Sequence, residues 1–192
     1  MFSKIFSKII IWSRTKNSIR ILSFISFIEA IFFPLPPDML LIPMCLASRK
    51  KAFHFAAITT FFSVLGGVFG YLIGMFMYDS TYLFMVDLGY QEKILQVKQF
   101  FSDWGIWIIL LAGFTPIPYK LFTIIAGALS MPFFGFIFAS FLGRGARFFL
   151  IALLISLGGD VLKQNIQKNI EYIGWLTLIF ITVFISIHNF AN

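Results

Sequence analysis

The chain has 192 residues, 59% hydrophobic and only 12% charged, with a net charge of +7 and a mean hydropathy of +0.92. A soluble domain of that length could not hide 27 phenylalanines without exposing contiguous apolar surface, so the composition excludes one and indicates a single integral membrane domain over 1–192. The basic residues sit at the ends of apolar segments, so the charge reports orientation and contact with anionic headgroups rather than nucleic acid.

In chain order, Phe2, Ile5, Phe6, Ile9 and Trp12 share one helical face, with Lys4, Lys8 and Arg14 elsewhere. That spacing predicts an amphipathic helix over 1–18 lying in the cytoplasmic headgroup region. No A-x-A-like cleavage site follows it, and the N-terminus is read as retained. A first unit covers 19–78: the apolar segment Ile19–Ala47, broken at Pro34–Pro37 and followed by Arg49-Lys50-Lys51, then the unbroken span Phe53–Tyr78. The lone cysteine, Cys45, excludes an internal disulfide and reads as a packing residue. Residues 79–103 form a polar linker, expected outside the cytoplasm, with an amphipathic piece around Ile94, Val97 and Phe101. A second unit covers 104–158: Trp104–Ser130, broken at Pro116–Lys120, then the span Phe133–Leu157. A short polar linker, Asp160–Lys168, precedes a final apolar helix expected within 170–190.

The two broken segments are copies of one pattern. A shift of 82 positions lays Pro34 on Pro116, Pro36 on Pro118 and Asp38 on Lys120. Interrupted segments in corresponding halves of a membrane protein point to a binding site at the repeat interface. As helices, 21–33 and 38–47 would be ~20 and ~15 Å long, short of an apolar core ~30 Å thick. A hairpin turning at Pro34, Pro36 and Pro37, matched by one at Pro116 and Pro118, leaves ten Lys/Arg on the cytoplasmic side and only Lys93 and Lys98 outside. A straight crossing would put Arg49-Lys50-Lys51 outside, against the positive-inside bias. The fold expected is therefore an all-α membrane protein built as an inverted repeat of a re-entrant hairpin plus a transmembrane helix. A kinked crossing helix is the alternative.

Five ionisable residues lie within apolar segments: Glu29, Asp38, Lys120, Arg144 and Arg147. Each charge near mid-membrane costs roughly 2.5–3.5 kcal/mol on insertion scales, so the five must converge on one another or on water. Arg144 and Arg147 are three apart and share a helix face, with Gly143 and Gly145 allowing close backbone approach. Two carboxylates against three cations leave a surplus of +1. Lys120, Arg144 and Arg147 thus suit a phosphate, whose oxygens match guanidinium geometry. Glu29 and Asp38 could take up protons, or the whole set could be internal salt bridges. Gly66, Gly70 and Gly74 recur every fourth residue as a stripe for tight helix packing. His54 and His188 are isolated, with no metal-ligand spacing, and the chain has no phosphate loop, nucleophile elbow or Cys/His cluster. No metal, cofactor or enzymatic activity is expected.

Glu29 with Pro34-x-Pro36-Pro37-Asp38 resembles the first signature of the DedA family, also called SNARE-associated or VTT-domain proteins. Gly66-Gly67-x-x-Gly70-Tyr71-x-x-Gly74 is similar to its glycine motif. Phe114-Thr115-Pro116-x-Pro118-x-Lys120, then Gly127, Gly143-Arg144 and Arg147, resemble its second half. Lys120 stands where many members carry Arg, as in a YqaA-like branch. The resemblance spans roughly 20–160. It implies a bacterial cytoplasmic (inner) membrane protein with inverted repeats and two re-entrant hairpins, and the basic residues place the N-terminus of this multi-pass chain in the cytoplasm. It further implies a flippase or scramblase of lipids such as undecaprenyl phosphate or phospholipids, dependent on the proton gradient. Glu29 and Asp38 would be its essential acids and Lys120, Arg144 and Arg147 its essential bases. Transport of a small soluble solute, coupled to protons or cations, and a non-transporting scaffold are the competing readings.

Overall fold

Proline clusters mark two of the helix breaks in this chain, those before Asp38 and before Tyr119. The computed structural model of the protein describes residues 17–32, 36–87, 91–115 and 118–158, with no strand among them. The expected helix over 170–190 lies outside the described residues, as does the interfacial helix over 1–18 except for its last two positions. Helix α1 spans Asn17–Glu29 and α2 spans Asp38–Ala47. A 3-10 turn at Arg49–Lys51 leads into α3, Ala52–Asp87. Then come α4, Gln91–Phe114, α5, Tyr119–Ala128, and α6, Phe133–Gly158.

Pro37 and Pro118 stand immediately before α2 and α5. At a helix start the missing proline N–H would have had no intrahelical partner. α1 and α2, at ~20 and ~15 Å, are each too short to cross a ~30 Å apolar core. Arg49–Tyr78 and Phe133–Gly158 are long and apolar enough to do so. Their outward faces are aromatic and aliphatic: Phe76 is 76% exposed and Phe134 85%. Helices run through most of the stretch read as a polar linker over 79–103. α3 continues to Asp87 and α4 begins at Gln91, so only three residues separate them. Residues 79–88 contain no proline or glycine; their polarity ends the apolar span without ending the helix.

Contacts at the glycines give the directions of packing. A Cβ on Gly66 would overlap the Phe27 carbonyl, and one on Gly70 would lie 3.6 Å from the Ala30 carbonyl, so α1 and α3 run side by side in the same direction. Gly67 faces Tyr119, Gly70 faces Thr123 and Gly74 abuts Ile124 and Ala128, so α5 also runs along α3. Ile106 packs on Gly135, Leu110 on Gly143, and Thr115 meets Arg147, so α4 and α6 run together. α5 runs against α4: Met131, just past α5, lies by Gly105, whereas the start of α5 lies by Arg144.

Two apolar cores result. One joins Leu22 of α1, Leu41 to Leu46 of α2, Ala52 to Ala56 of α3 and Phe148 to Ile155 of α6. The other joins Tyr71, Ile109, Ala126, Phe136 and their neighbours from α3, α4, α5 and α6. α1 and α2 thus share one apolar layer through Leu22 and Leu41 to Leu46. At the other end, α5 closes with Ser130 at φ 53°, while Met131 N–H donates to the Ala126 carbonyl and Ser130 N–H to that of Gly127. This is a Schellman cap with serine where glycine is usual. The Tyr71 hydroxyl donates to the Met131 carbonyl at 2.6 Å and ties that corner to α3.

Candidate functional site

Between the two cores, four helix ends meet the middle of α6. Glu29 closes α1, Asp38 opens α2, Thr115 follows α4 and Lys120 lies in the first turn of α5. Arg144 and Arg147, one turn apart on α6, take Glu29, Asp38 and Thr115 as partners, while Tyr119, beside Lys120, lies under Arg144. The Arg144 Nη2 donates to Glu29 Oε2 at 2.5 Å, and the side chain is 4% exposed. Its guanidinium stacks 4.3 Å from the centre of the Tyr119 ring, with the Phe148 ring at 5.6 Å. Such stacking supports a desolvated cation by up to about 2 kcal/mol. Arg147 donates through Nη2 to Asp38 Oδ2 and through Nη1 to the Thr115 carbonyl, the latter at 2.7 Å. Lys120 Nζ donates to the Phe32 carbonyl at 3.0 Å.

Each proline turn therefore has a cation on a backbone carbonyl that the interrupted helix leaves over. The Thr115 carbonyl is served from α6 and the Phe32 carbonyl from α5. Non-helical backbone at membrane depth is stable only when such groups are satisfied inside the protein or by water. Phe32 and Tyr119 have no role in the sequence reading, and Thr115 enters it only as part of the second proline motif. The signal for the two carbonyls was present: a residue at or just before an X-Pro bond is driven out of the helical region, which frees its neighbours' backbone groups.

The structure brings Glu29, Asp38, Lys120, Arg144 and Arg147 together and decides the pairing. Asp38 and Lys120 occupy equivalent positions in the two copies, yet they do not pair; Asp38 takes Arg147, and Lys120 takes a backbone carbonyl. The surplus positive charge of the set thus rests on Lys120, which is half-buried. Asp38 keeps its second oxygen, Oδ1, buried and without a hydrogen-bond partner among the described residues. Pro36, Pro37 and Pro118 lie at the turns beside this cluster, whereas Pro34 and Pro116 fall outside the described residues.

Gly66, Gly70 and Gly74 abut α1 and α5, as described above, and Gly127 and Gly143 are equally tight, against the Tyr71 and Leu110 carbonyls. Gly145 differs from its sequence reading. A Cβ there would meet only the Thr60 methyl at an ordinary 3.7 Å, because this side of α6 faces a side chain rather than backbone. A cavity of about 380 Å³ lies elsewhere, between Lys98 to Trp107 of α4 and Leu129 to Pro132, and none of the five ionisable residues lines it. Among the described residues no group of three or more His, Cys, Asp or Glu side chains gathers as a metal site would require.

The VTT domain model matches residues 35–157, which contain four of the five ionisable residues. A protein of Haemophilus influenzae described as uncharacterized is 41% identical over 179 residues, 93% of each chain. A second, from Histophilus somni, is 39% identical over 93% of this chain and 94% of its own. An archaeal protein of Methanocaldococcus jannaschii, also described as uncharacterized, is 29% identical over 74% of this chain and 84% of its own. No solved structure matches the chain.

Proposed function

The chain belongs to the VTT-domain, or DedA, family of membrane proteins, and from that premise we propose that it is a lipid translocase for an anionic, phosphate-bearing headgroup. The observation that carries this reading is the convergence of three cations and two carboxylates on two proline turns at mid-helix depth. α1–α2 and α4–α5 act as two hairpins that re-enter the membrane from opposite faces, and α3 and α6 are the spans of an inverted repeat. The parallel packing of α1 with α3 and of α4 with α6 supports that symmetry.

In this mechanism the phosphate first meets Lys120, whose charge no carboxylate among the described residues offsets, and displaces the Phe32 carbonyl from it. Protonation of Asp38 releases Arg147, which then offers a forked pair of donors to the phosphate oxygens. Protonation of Glu29 does the same for Arg144. The acyl or prenyl chain stays in the bilayer while the headgroup passes between the hairpin tips. The protein sits in the bacterial inner membrane with its N-terminus in the cytoplasm, needs no cofactor and catalyses no covalent step.

The test is lipid exchange in liposomes containing the purified full chain, using fluorescent undecaprenyl phosphate and phospholipid analogues with and without a pH gradient. Exchange of phosphate-bearing lipids above protein-free vesicles is expected, and its response to the gradient separates driven transport from scrambling. No exchange of any lipid by folded protein would reject the reading in favour of a solute transporter or a scaffold. The hairpins are tested separately with single cysteines at Ser48 and Ser130 in a Cys45→Ala background. Re-entrant hairpins predict labelling from opposite sides of the membrane; kinked crossing helices predict labelling from the same side.

A further inference from the structure

Behind the Arg144–Glu29 pair, away from the carbonyls that Lys120 and Arg147 serve, lies a seam of hydroxyls with no role in the proposal above. α3 presents Thr59, Thr60 and Ser63 inward, all fully buried. Thr60 lies against Gly145 of α6. Thr59 and Thr60 donate to carbonyls of their own helix, Phe55 and Ala56, at 2.8 Å. Ser63 does not. Its Oγ, Tyr119 Oη, Ser140 Oγ and Arg144 Nε are all buried without a hydrogen-bond partner among the described residues.

These four groups come from three helices that pack around the Tyr119 side chain. Ser63 is one turn before Gly67, whose missing side chain leaves room for the Tyr119 hydroxyl; a Cβ there would lie 2.8 Å from it. Ser140 is one turn before Arg144 and faces the Tyr119 hydroxyl without closing a hydrogen bond to it. The Tyr119 ring lies under the Arg144 guanidinium. A buried polar group left unpaired costs about 1–3 kcal/mol. Four such groups around one point are the setting in which proteins hold internal water, which typically makes about three hydrogen bonds.

We infer that Ser63, Tyr119, Ser140 and Arg144 Nε bind water in the α3–α6 seam, and that this water chain carries protons to and from Glu29. The charged groups around it are Glu29 of α1, Asp38 of α2, Lys120 of α5 and Arg144 and Arg147 of α6. α3 and the nearby end of α4 contribute none, so Glu29, held by Arg144, is the acid that the seam reaches first. Asp38 lies on the other side, against Arg147 and the turns. The inference rests on the proton-coupled reading of Glu29, but it concerns the route and not the cargo.

The experiment is infrared spectroscopy of the full chain in nanodiscs after a pH jump, following the carboxylic band that Glu29→Gln removes. Tyr119→Phe keeps the ring under Arg144 and deletes only the hydroxyl, and it is expected to slow protonation of Glu29 by about tenfold or more. The Ser63→Ala/Ser140→Ala double variant is expected to do the same, and it decides the matter if the phenylalanine variant fails to fold. Thr59→Val, whose hydroxyl serves its own helix, is expected to leave the rate unchanged. Unchanged rates in the seam variants would overturn the inference. So would an equal slowing in Thr59→Val, or a Glu29 that never takes up a proton. Lipid exchange measured on the same proteins keeps the two ideas apart: slowed protonation in a protein that moves no lipid retains the seam and rejects the translocase.

Discussion

Replacing Arg144 with Ala is expected to abolish lipid exchange and to destabilise the fold by about 3–5 kcal/mol, the usual cost of stranding one partner of a buried ion pair. The carboxylate of Glu29 would lose a 2.5 Å partner in a site where the arginine itself is nearly sealed from solvent. The Tyr119 ring would lose the cation stacked on it. Loss of activity in that variant alone would not separate a transport role from a structural one. The double variant Glu29→Leu/Arg144→Met does. Buried ion pairs replaced by well-packed apolar residues are often neutral or stabilising, so thermal unfolding in detergent should return close to wild type. Lipid exchange should not return, because the phosphate loses the Arg144 donors and Glu29 is no longer there to take up a proton, leaving only Lys120 and Arg147. Recovery of both would reduce Glu29 and Arg144 to an internal brace and leave Lys120 and Arg147 as the phosphate ligands.

The second large effect is expected at glycines that touch backbone. A Cβ on Gly127 would overlap the Tyr71 carbonyl, and one on Gly74 would overlap the Ile124 carbonyl, so α3 and α5 lock each other at two levels. Neither contact can be relieved by turning a side chain, because the obstacle is main chain. Overpacking a core commonly costs about 1–3 kcal/mol. Leucine at either glycine must push two helices apart, and Gly74→Leu and Gly127→Leu are expected to exceed that range and to yield little monodisperse protein. Gly105→Ala is the control. Its Cβ would meet the Met131 sulfur at 3.5 Å, an ordinary contact with a flexible side chain, and alanine is favoured over glycine in a helix by about 1 kcal/mol. Its melting temperature should match or exceed that of wild type. Equal loss in all three variants would show that helix packing here tolerates no added volume anywhere, and would remove the backbone contacts as the cause.

The sequence by itself settled the environment, the family and the membership of the charged set. Twenty-seven phenylalanines and so few charges leave a membrane as the only solvent that fits, and the cost of a charge there forces Glu29, Asp38, Lys120, Arg144 and Arg147 to seek partners. Helix breaks at both proline clusters were legible for the same local reason, since a ring without an N–H acts on its own turn. Local chemistry does not extend to pairing. Which carboxylate each arginine takes, that Lys120 serves the Phe32 carbonyl, and that Tyr119 lies under Arg144 depend on where distant helices come to rest. The same holds for the glycines. A four-residue stripe shows that something packs closely, but only the tertiary structure makes Gly143 tight against the Leu110 carbonyl and leaves Gly145 open. Helix directions follow from these contacts, and contacts across more than a hundred residues are set by the simultaneous packing of the six helices among the described residues rather than by any one segment.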